Sequence, residues 1–317
     1  MKAVFLDRES LDRNDLDLAA VENSVEQLMT HPQTTPDQVQ ERLKGQDIVI
    51  VNKVVLDREA LEAHPPRLIC VVATGVNNID LDACRDLNIT VCNSRGYGTD
   101  SVAQHSLSLM LALSTRLLDY HQTIKRGDWQ RSTQFCLLDY PIQELAGKTL
   151  VIVGHGTLGR RVADLAKAFG MHVRIAARPG NTSGDDRQPL SELLPLADVV
   201  SLHCPLNEAT QGLIDSPELA AMKPTALLIN TARGGLVNEA ALASALRRGE
   251  IGGAGIDVVD GEPPAADNPL FTGDIPNLIV TPHNAWGARE ARQRIVGQLV
   301  ENILGWQQGR SVRVVSN

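Results

Sequence analysis

The stretch TLVIVGHGTLGRRVADLAKAFG, residues 149–170, decides the fold of this chain. Its apolar run TLVIV is typical of a buried strand, and the residues after the glycines follow a helical pattern. Gly154, Gly156 and Gly159 have the G-x-G-x-x-G spacing. The first glycine turns the chain, the second lets the backbone approach a diphosphate, and the third lets the helix pack on the strand. The stretch therefore predicts a dinucleotide-binding strand–turn–helix unit, although a glycine turn without a ligand has the same sequence pattern.

Strand-like runs continue on both sides of this unit. Residues 149–281 contain six of them, separated by helical segments: TLVIV, HVRIAA, ADVVSLH, ALLIN, AGIDV and LIVT. Four more precede the unit: KAVFL (2–6), DIVIV (47–51), LICVVA (68–73) and ITVC (89–92). This alternation predicts an α/β protein with parallel sheets. We expect a Rossmann-type doubly wound sheet in residues 99–285 and a smaller flavodoxin-like domain in residues 1–98, completed by a return helix and tail at 286–317.

The segment between the two series has a different pattern. From Thr99 to about Lys125, a long helical pattern is apolar on more than one side, which predicts burial between domains or subunits. Residues 126–147 have little periodicity and an unusual aromatic content for a chain that is only 3% aromatic. We interpret them as an extended arm that covers a partner subunit, so the expected assembly is a homodimer.

The composition argues against a nucleic-acid-binding protein, a disulfide-linked protein and a metalloprotein. The chain has 317 residues, enough for two domains, and its net charge of −8 argues against nucleic acid as the main partner. Its five cysteines are scattered and show no Cys/His ligand spacing, so we expect neither disulfides nor a metal site. The N-terminus lacks a signal-like region and no apolar run approaches ~18 residues, which predicts a cytoplasmic protein without membrane contact.

Residues 175–178 bear on the choice of dinucleotide. An NAD-binding unit usually places Asp or Glu about twenty residues after the glycine turn, where it holds the ribose hydroxyls. Here the second strand ends in Ile175-Ala176-Ala177-Arg178. The missing carboxylate removes repulsion of a 2′-phosphate, and Arg178 supplies a charge-assisted partner for it. A solvated loop arginine is the alternative interpretation. The pattern favours NADP(H) and leaves NAD(H) open.

Four charged or titratable residues accompany three later strand-like runs. Arg233 follows ALLIN, AGIDV carries Asp257 and leads to Glu262, and His283 follows LIVT. Ligand sites in parallel α/β sheets lie beyond the carboxyl ends of the strands, so these side chains are expected to converge. A cation for an anionic substrate, a proton donor and a carboxylate that holds the donor together predict a reaction centre.

Ordered motifs in both domains resemble the D-isomer-specific 2-hydroxyacid dehydrogenases: ATGVNNIDL (73–81), GHGTLG (154–159), LHCPLNEATQGLI (202–214), INTARGGLVNEAAL (229–242), AGIDVVDGEPP (254–264) and TPHNAW (281–286). Three further stretches look closest to the glycerate dehydrogenase/hydroxypyruvate reductase branch: NKVVLD (52–57), FCLLDYPIQELAGKTL (135–150) and PHNAWGAREARQRIV (282–296). The resemblance implies an oxidoreductase that transfers a hydride between NADPH or NADH and a small 2-keto acid. It also implies that the smaller domain is the substrate domain.

The resemblance implies a catalytic role for three residues. His283 would donate a proton to the developing alkoxide, which suits an imidazole that titrates near ~6.5 when unperturbed. Glu262 would hold the other ring nitrogen, and Arg233 would bind the substrate carboxylate with its planar fork.

Further contacts are predicted for the substrate and for the cofactor. The amides of Thr74, Gly75 and Val76 offer an anion-binding nest to the substrate carboxylate, and Lys53 adds positive charge unless it is only a surface lysine. The helix N-terminus after the glycine turn suits the diphosphate, whereas the roles of Cys204, Thr231 and Ala232 come from the resemblance alone. By resemblance, Asp257 serves the nicotinamide end. The predicted cofactor contacts beyond the glycines are Thr157, Leu158, Ala177, Arg178, Cys204, Thr231, Ala232 and Asp257.

The implied reaction is reduction of hydroxypyruvate to D-glycerate, with glyoxylate to glycolate as a second reaction. The alternative is a nucleotide-sensing, corepressor-like binding protein, because the same fold family includes transcriptional corepressors that keep the three catalytic residues. The acidic charge balance weighs against it. A formate dehydrogenase is disfavoured because that branch has Gln as the partner of its histidine, where this chain has Glu262.

Overall fold

The computed structural model describes residues 1–178, 187–310 and 312–315, which fall into two compact units. Unit 1 consists of residues 1–98 with the described part of 287–317, and unit 2 consists of the described residues of 99–286. Each unit is built around its own parallel sheet, flanked by helices. The α/β fold class predicted from the alternating apolar runs is confirmed.

Unit 1 has a five-stranded sheet. Its strands are β1 (Lys2–Phe5), β2 (Gln27–Thr30), β3 (Ile48–Val51), β4 (Leu68–Val71) and β5 (Thr90–Cys92). They pair in parallel in the order β2-β1-β3-β4-β5, which is the flavodoxin-like order. The short helices are α1 (Ala19–Glu22), α2 (Val39–Leu43), α3 (Arg58–Ala63) and α4 (Leu81–Asp86). The last helix of the chain, Arg289–Gln307, also belongs to unit 1 and packs against β4 and α1.

Strand β2 is absent from the sequence prediction. Its residues QLMT are exposed or half-buried, because β2 is an edge strand that pairs only with β1. Strand β3, by contrast, is the run IVIV with all four residues buried. Apolar runs mark strands that are covered on both faces, so an exposed edge strand leaves no such mark.

Unit 2 has a six-stranded sheet. Its strands are β6 (Thr149–Val153), β7 (His172–Ile175), β8 (Val199–Leu202), β9 (Leu227–Asn230), β10 (Gly253–Ile256) and β11 (Leu278–Val280). Its helices are α5 (Thr99–Ser114), α6 (Leu117–Lys125), α7 (Asp128–Arg131), α8 (Thr157–Ala168), α9 (Leu190–Leu193), α10 (Ser216–Ala221) and α11 (Glu239–Arg248). Short 3-10 turns of the two units are Arg8–Ser10, Pro36–Gln38, Leu194–Leu196, Gly234–Leu236 and Pro269–Phe271.

The strand order of unit 2 shows where a ligand should bind. All pairings are parallel, in the order β11-β10-β9-β8-β6-β7, so the direction of the order reverses between β6 and β8. Alternate residues of β6 enter different cores: Leu150 and Ile152 pack with α5, and Val151 and Val153 pack on the opposite face. In doubly wound sheets the ligand crevice opens at the carboxyl ends of the strands beside such a reversal.

The sequence suggested one long helix over residues 99–125, but the structure has two, α5 and α6. The chain breaks between α5 and α6 at Arg116, whose φ of 54° lies in the left-handed region. The Arg116 guanidinium lies 5.0 Å from the centre of the Tyr140 ring and its Nε donates to Asp119 across 2.5 Å. These contacts offset the cost of the left-handed backbone at Arg116. The sequence has no glycine or proline at this position that would have predicted the break.

The arm, predicted to be extended over residues 126–147, contains the short helix α7 and runs without regular structure only from there to β6. The arm and α6 expose several large apolar side chains, with Phe135 at 88% and Leu138 at 76% exposed. None of the described helices combines the length and apolar composition needed to cross a membrane.

Candidate active site

His283 and Glu262 form a close pair at the carboxyl edge of the unit 2 sheet. His283 lies on the loop after β11, and its Nδ1 is 2.5 Å from Glu262 Oε2. A carboxylate only accepts hydrogen bonds, so the ring donates from Nδ1 and presents Nε2 for proton exchange. The second carboxylate oxygen, Oε1, accepts the backbone N–H of Val259 across 3.1 Å. Each side chain is about one-third exposed, at 33% and 34%, so a small molecule can reach the pair.

The backbone of His283 adopts an unusual conformation that its neighbours hold in place. Its φ is 50°, in the left-handed region that costs a residue with a Cβ on the order of 1–3 kcal/mol. The His283 N–H donates to Asp257 O across 2.8 Å, and Trp286 Nε1 donates to His283 O across 2.9 Å. Strain that persists under such bonds is typical of functional positions.

Asp257 organises the same loop with its side chain. Its carboxylate is 1% exposed and accepts the backbone N–H of Asn284 at Oδ1 and of Ala285 at Oδ2, each across 3.0 Å. The hydroxyl of Thr281 donates to Oδ1 across 2.5 Å. The enclosed carboxylate therefore supports the loop that carries His283, and its expected contact with a cofactor stays a prediction.

Arg233 lies on the neighbouring loop, after β9. The side chain is exposed, and its Nη1 donates to Ala232 O across 2.6 Å. The loop is shaped by buried Asn230, whose amide donates to Arg233 O and accepts from Ala232 N. A Cβ at Gly234 would lie 2.0 Å from the carbonyl carbon of Val259, so this loop rests directly on the one that carries Glu262. The structure thus places Arg233, Glu262 and His283 on adjoining loops.

The glycine turn joins β6 to α8. Gly154 has φ of 97°, and a Cβ there would lie 2.5 Å from the backbone nitrogen of Cys204. A Cβ at Gly159 would lie 2.1 Å from Gly154 O, whereas one at Gly156 would meet nothing within 4 Å. The first and third glycines are thus required by the fold, and the second leaves open space above the turn.

The start of α8 can receive an anion. Its first helical bond runs from Arg160 N to Gly156 O, so the amides of Thr157 and Leu158 precede the bonded part of the helix. Burial lowers the pKa of His155, and the cations Arg160, Arg187 and Lys167 lower it further. Positive potential and open amides fit the diphosphate of a dinucleotide.

Comparison with known proteins agrees with this geometry. The NAD binding domain of the D-isomer specific 2-hydroxyacid dehydrogenases matches residues 107–285. The chain is 44% identical to a glycerate dehydrogenase of Methylorubrum extorquens, over 99% of this chain and 98% of that one. This chain belongs to the D-isomer specific 2-hydroxyacid dehydrogenase family. It is therefore an enzyme that uses a pyridine nucleotide to interconvert 2-hydroxy and 2-keto acids.

Two further relatives extend the comparison. A hydroxypyruvate reductase of Blautia hydrogenotrophica is 35% identical to the present chain over the full length of both proteins. A solved structure of a Thermus thermophilus protein has a TM-score of 0.85 at 33% identity, and covers 99% of this chain and 100% of its own. Both sheets of the dehydrogenase therefore have counterparts in known structures.

The remaining residues that were predicted to contact the cofactor lie along the same edge. Ala177 and exposed Arg178 follow β7, and the residues directly after them, 179–186, lie outside the described part. Cys204 follows β8, and burial raises the pKa of its thiol, so it remains uncharged. Thr231 and Ala232 follow β9, with Thr231 buried. All of these positions are at carboxyl ends of strands, and their contacts with the cofactor stay predictions.

The predicted substrate residues of unit 1 occupy the corresponding edge of their own sheet. Exposed Lys53 follows β3, and its backbone N–H donates to Asp7 Oδ2 across 2.7 Å. Residues 74–76 follow β4, where Thr74 Oγ1 donates to Ser94 O across 2.9 Å. The substrate contacts of Lys53, Thr74, Gly75 and Val76 stay predictions.

Sequence reasoning missed residues that act within the fold. Asn230, Thr281 and His105 make side-chain bonds to the catalytic loops, but none has a spacing that marks such a role. The contacts by which Asp257 supports the loop of His283 were likewise not predicted. A polar residue at the end of an apolar strand, as at Asn230, or directly after one, as at Thr281, is a signal that could have found two of them.

The glycine geometry predicts different outcomes for two alanine variants. Gly159→Ala should lower the melting temperature and the yield of folded protein, because its Cβ would clash with Gly154 O. Gly156→Ala should keep the melting temperature of the wild type and weaken cofactor binding ~10-fold or more, because the methyl group occupies the approach of the diphosphate. Thermal unfolding and fluorescence titration with reduced cofactor measure the two effects. If Gly156→Ala bound the cofactor as tightly as the wild type, a contact between the diphosphate and this turn would be excluded.

Proposed function

We propose that the enzyme reduces hydroxypyruvate to D-glycerate, with glyoxylate to glycolate as a second reaction. The observation that carries the proposal is the 2.5 Å contact between His283 and Glu262, on a loop adjoining that of Arg233. The full-length similarity to a glycerate dehydrogenase and a hydroxypyruvate reductase supports this choice of keto acid.

The residues of the site divide the work of the reaction. A reduced nicotinamide, held beyond the glycine turn of Gly154, Gly156 and Gly159, would supply the hydride for the carbonyl carbon of the keto acid. Arg233 binds the substrate carboxylate, since an exposed guanidinium offers two parallel donors to it. His283 Nε2 gives a proton to the carbonyl oxygen, and in the reverse direction takes it back. Glu262 holds Nδ1, which fixes the ring and stabilises the charge that the ring carries before proton transfer.

A panel of small 2-keto acids tests the proposal. Hydroxypyruvate, glyoxylate, pyruvate and 2-ketobutyrate are each assayed with NADPH and with NADH, and oxidation of the cofactor is followed by absorbance. We expect the highest kcat/KM with hydroxypyruvate and a lower value with glyoxylate. A preference for the longer or unsubstituted keto acids would contradict the assignment of substrate.

For the cofactor, we propose a preference for NADP(H). Arg178 is exposed immediately after β7, where the acid typical of NAD enzymes is replaced by Ala177. A guanidinium at this position attracts a 2′-phosphate. Residues 175–177 are Ile, Ala and Ala, so they contribute no side-chain carboxylate that would repel it.

Substitution of Arg178 tests this preference. Arg178→Ala should weaken NADPH binding by ~10- to 100-fold, the loss of one charge-assisted bond of ~1.5–3 kcal/mol, and leave NADH binding nearly unchanged. Arg174→Ala is the matched control, because Arg174 lies on β7 and its guanidinium donates to Gln188 Oε1 across 3.1 Å. Equal losses for both cofactors in Arg178→Ala would exclude a 2′-phosphate contact.

We further propose that the enzyme is a homodimer through α6 and the arm. Leu117, Phe135, Leu138 and Ile142 expose their apolar side chains by 54% or more, an arrangement that is costly in water unless a second surface covers it. Light scattering after size exclusion should give the mass of two chains, and Phe135→Asp with Leu138→Asp should give the mass of one. A wild-type monomer would rule out this assembly.

A further inference from the structure

Helix α5 carries polar side chains on a face that is otherwise buried. The helix packs against β9, β10 and β11, and most of the residues it buries are apolar. Ser101 and His105, one helical turn apart, bond to the histidine loop, defined as residues 281–286. Ser101 Oγ donates to Ala285 O across 2.6 Å, and His105 Nε2 lies 3.0 Å from Thr281 Oγ1. Polar groups in such a place need a reason, because apolar residues would pack there at lower cost.

The directions of the hydrogen bonds around His105 follow from the chemistry of its partners. Thr281 has one hydroxyl proton, and its Oγ1 lies 2.5 Å from Asp257 Oδ1, which can only accept when ionised. Thr281 therefore donates to Asp257 and accepts from His105. His105 must carry a proton on Nε2, and that nitrogen lies 3.6 Å from Asp257 Oδ1. The result is a directed chain from His105 through Thr281 to Asp257.

This chain ends at the backbone around His283. The Asp257 carboxylate accepts the N–H groups of Asn284 and Ala285, which directly follow His283. The Asp257 carbonyl accepts the N–H of His283 itself. The orientation of the Asp257 side chain therefore sets the position of the left-handed residue that presents the catalytic ring.

We propose that His105 is a positioning residue for the reaction, which orients Asp257 through Thr281 and thereby holds His283 in the geometry for proton transfer. This inference rests on the proposed role of His283 as proton donor. His105 itself contacts Thr281 and has no contact with the reacting atoms in this proposal. Its loss displaces the histidine loop by a fraction of an ångström or more, and misplacement of a catalytic group on that scale lowers the rate of the chemical step.

Three single variants, one double variant and one control test the proposal. His105→Ala removes the donor, and His105→Gln keeps a donor near the position of Nε2. Thr281→Val removes the hydroxyl that links His105 to Asp257. Gln104→Ala is the matched control, because Gln104 is the exposed neighbour of His105 on the same helix. Steady-state kinetics with hydroxypyruvate give kcat and KM, fluorescence titration gives the cofactor Kd, and Tm reports on the fold.

We expect His105→Ala to lower kcat ~10- to 100-fold with KM and cofactor Kd within about twofold of the wild type. His105→Gln should recover most of kcat, and Gln104→Ala should match the wild type. The double variant His105→Ala/Thr281→Val should lose little more than either single variant, because both interrupt one chain. A positioning role predicts that His105→Gln recovers kcat and that His105→Ala lowers kcat selectively. A general loss of stability would instead lower Tm and impair both variants to a similar degree.

Opposite results overturn the inference. It is wrong if His105→Ala keeps the wild-type kcat, if His105→Gln is as impaired as His105→Ala, or if the two single losses add fully. Failure of the proposed function gives a different result. The wild type would then bind the cofactor but would not oxidise it when hydroxypyruvate is added.

Discussion

Replacement of His283 with alanine should lower kcat by ~10²- to 10⁴-fold, the usual contribution of a positioned acid–base group. The imidazole is the proposed proton donor, and Glu262 holds its Nδ1 at 2.5 Å, so the variant loses the group that protonates the substrate oxygen. The affinity for the reduced cofactor should stay unchanged, since the glycine turn is intact in this variant. Single-turnover kinetics and cofactor titration measure the two quantities.

His172→Ala is the control for this variant. His172 is exposed at the beginning of β7, at the amino end of the sheet and thus opposite the catalytic edge. It should retain wild-type turnover. A His283→Ala enzyme with unreduced kcat would show that protonation of the substrate oxygen comes from elsewhere.

Replacement of Arg233 should give the second large effect. Arg233→Ala should lower kcat/KM for hydroxypyruvate by ~10²- to 10⁴-fold, because two charge-assisted hydrogen bonds of ~1.5–3 kcal/mol each are lost. Arg233→Lys should recover only part of this loss, since an ammonium supplies the charge without the planar pair of donors. Steady-state kinetics over a range of keto acid concentrations measure both variants.

Arg248→Ala serves as the control for the loss of one positive charge. Arg248 lies at the end of α11 and pairs with Glu250 across 2.7 Å, so its removal should leave kcat/KM near the wild-type value. If the Arg233 and Arg248 variants behaved alike, the substrate carboxylate would have to be bound by other groups.

Much of the fold follows from local sequence. Strands β3, β6 and β9 are buried on both faces, so each is a continuous apolar run that the sequence displays directly. The glycine turn is recognised from local spacing, and Gly159 is required by a contact with Gly154, five residues away. Gly154 itself is required by a distant contact, with the backbone of His203 and Cys204 after β8. The edge strand β2 and the break at Arg116 depend instead on pairing with β1 and on Tyr140, which no short window contains.

The candidate site shows the same division. Arg233, Glu262 and His283 were predicted because strand ends converge at one edge of a parallel sheet and the residue types match a known chemistry. The supporting bonds were not predicted, because they join distant positions: His105 and Thr281 are 176 residues apart. Periodicity identifies α5 as a buried helix, but it does not show which loop a polar residue on that helix will reach.

Direct hydride transfer from the cofactor to hydroxypyruvate is tested by a labelling experiment. Wild-type enzyme is incubated with reduced cofactor that carries deuterium at the transferred position, and the product is analysed by chiral chromatography and mass spectrometry. We expect D-glycerate with one deuterium on the carbon that bore the carbonyl group, and His283→Ala should form this product only at the residual rate. L-glycerate would contradict the expected stereochemistry, and an unlabelled product or no product at all would contradict direct hydride transfer to hydroxypyruvate at this site.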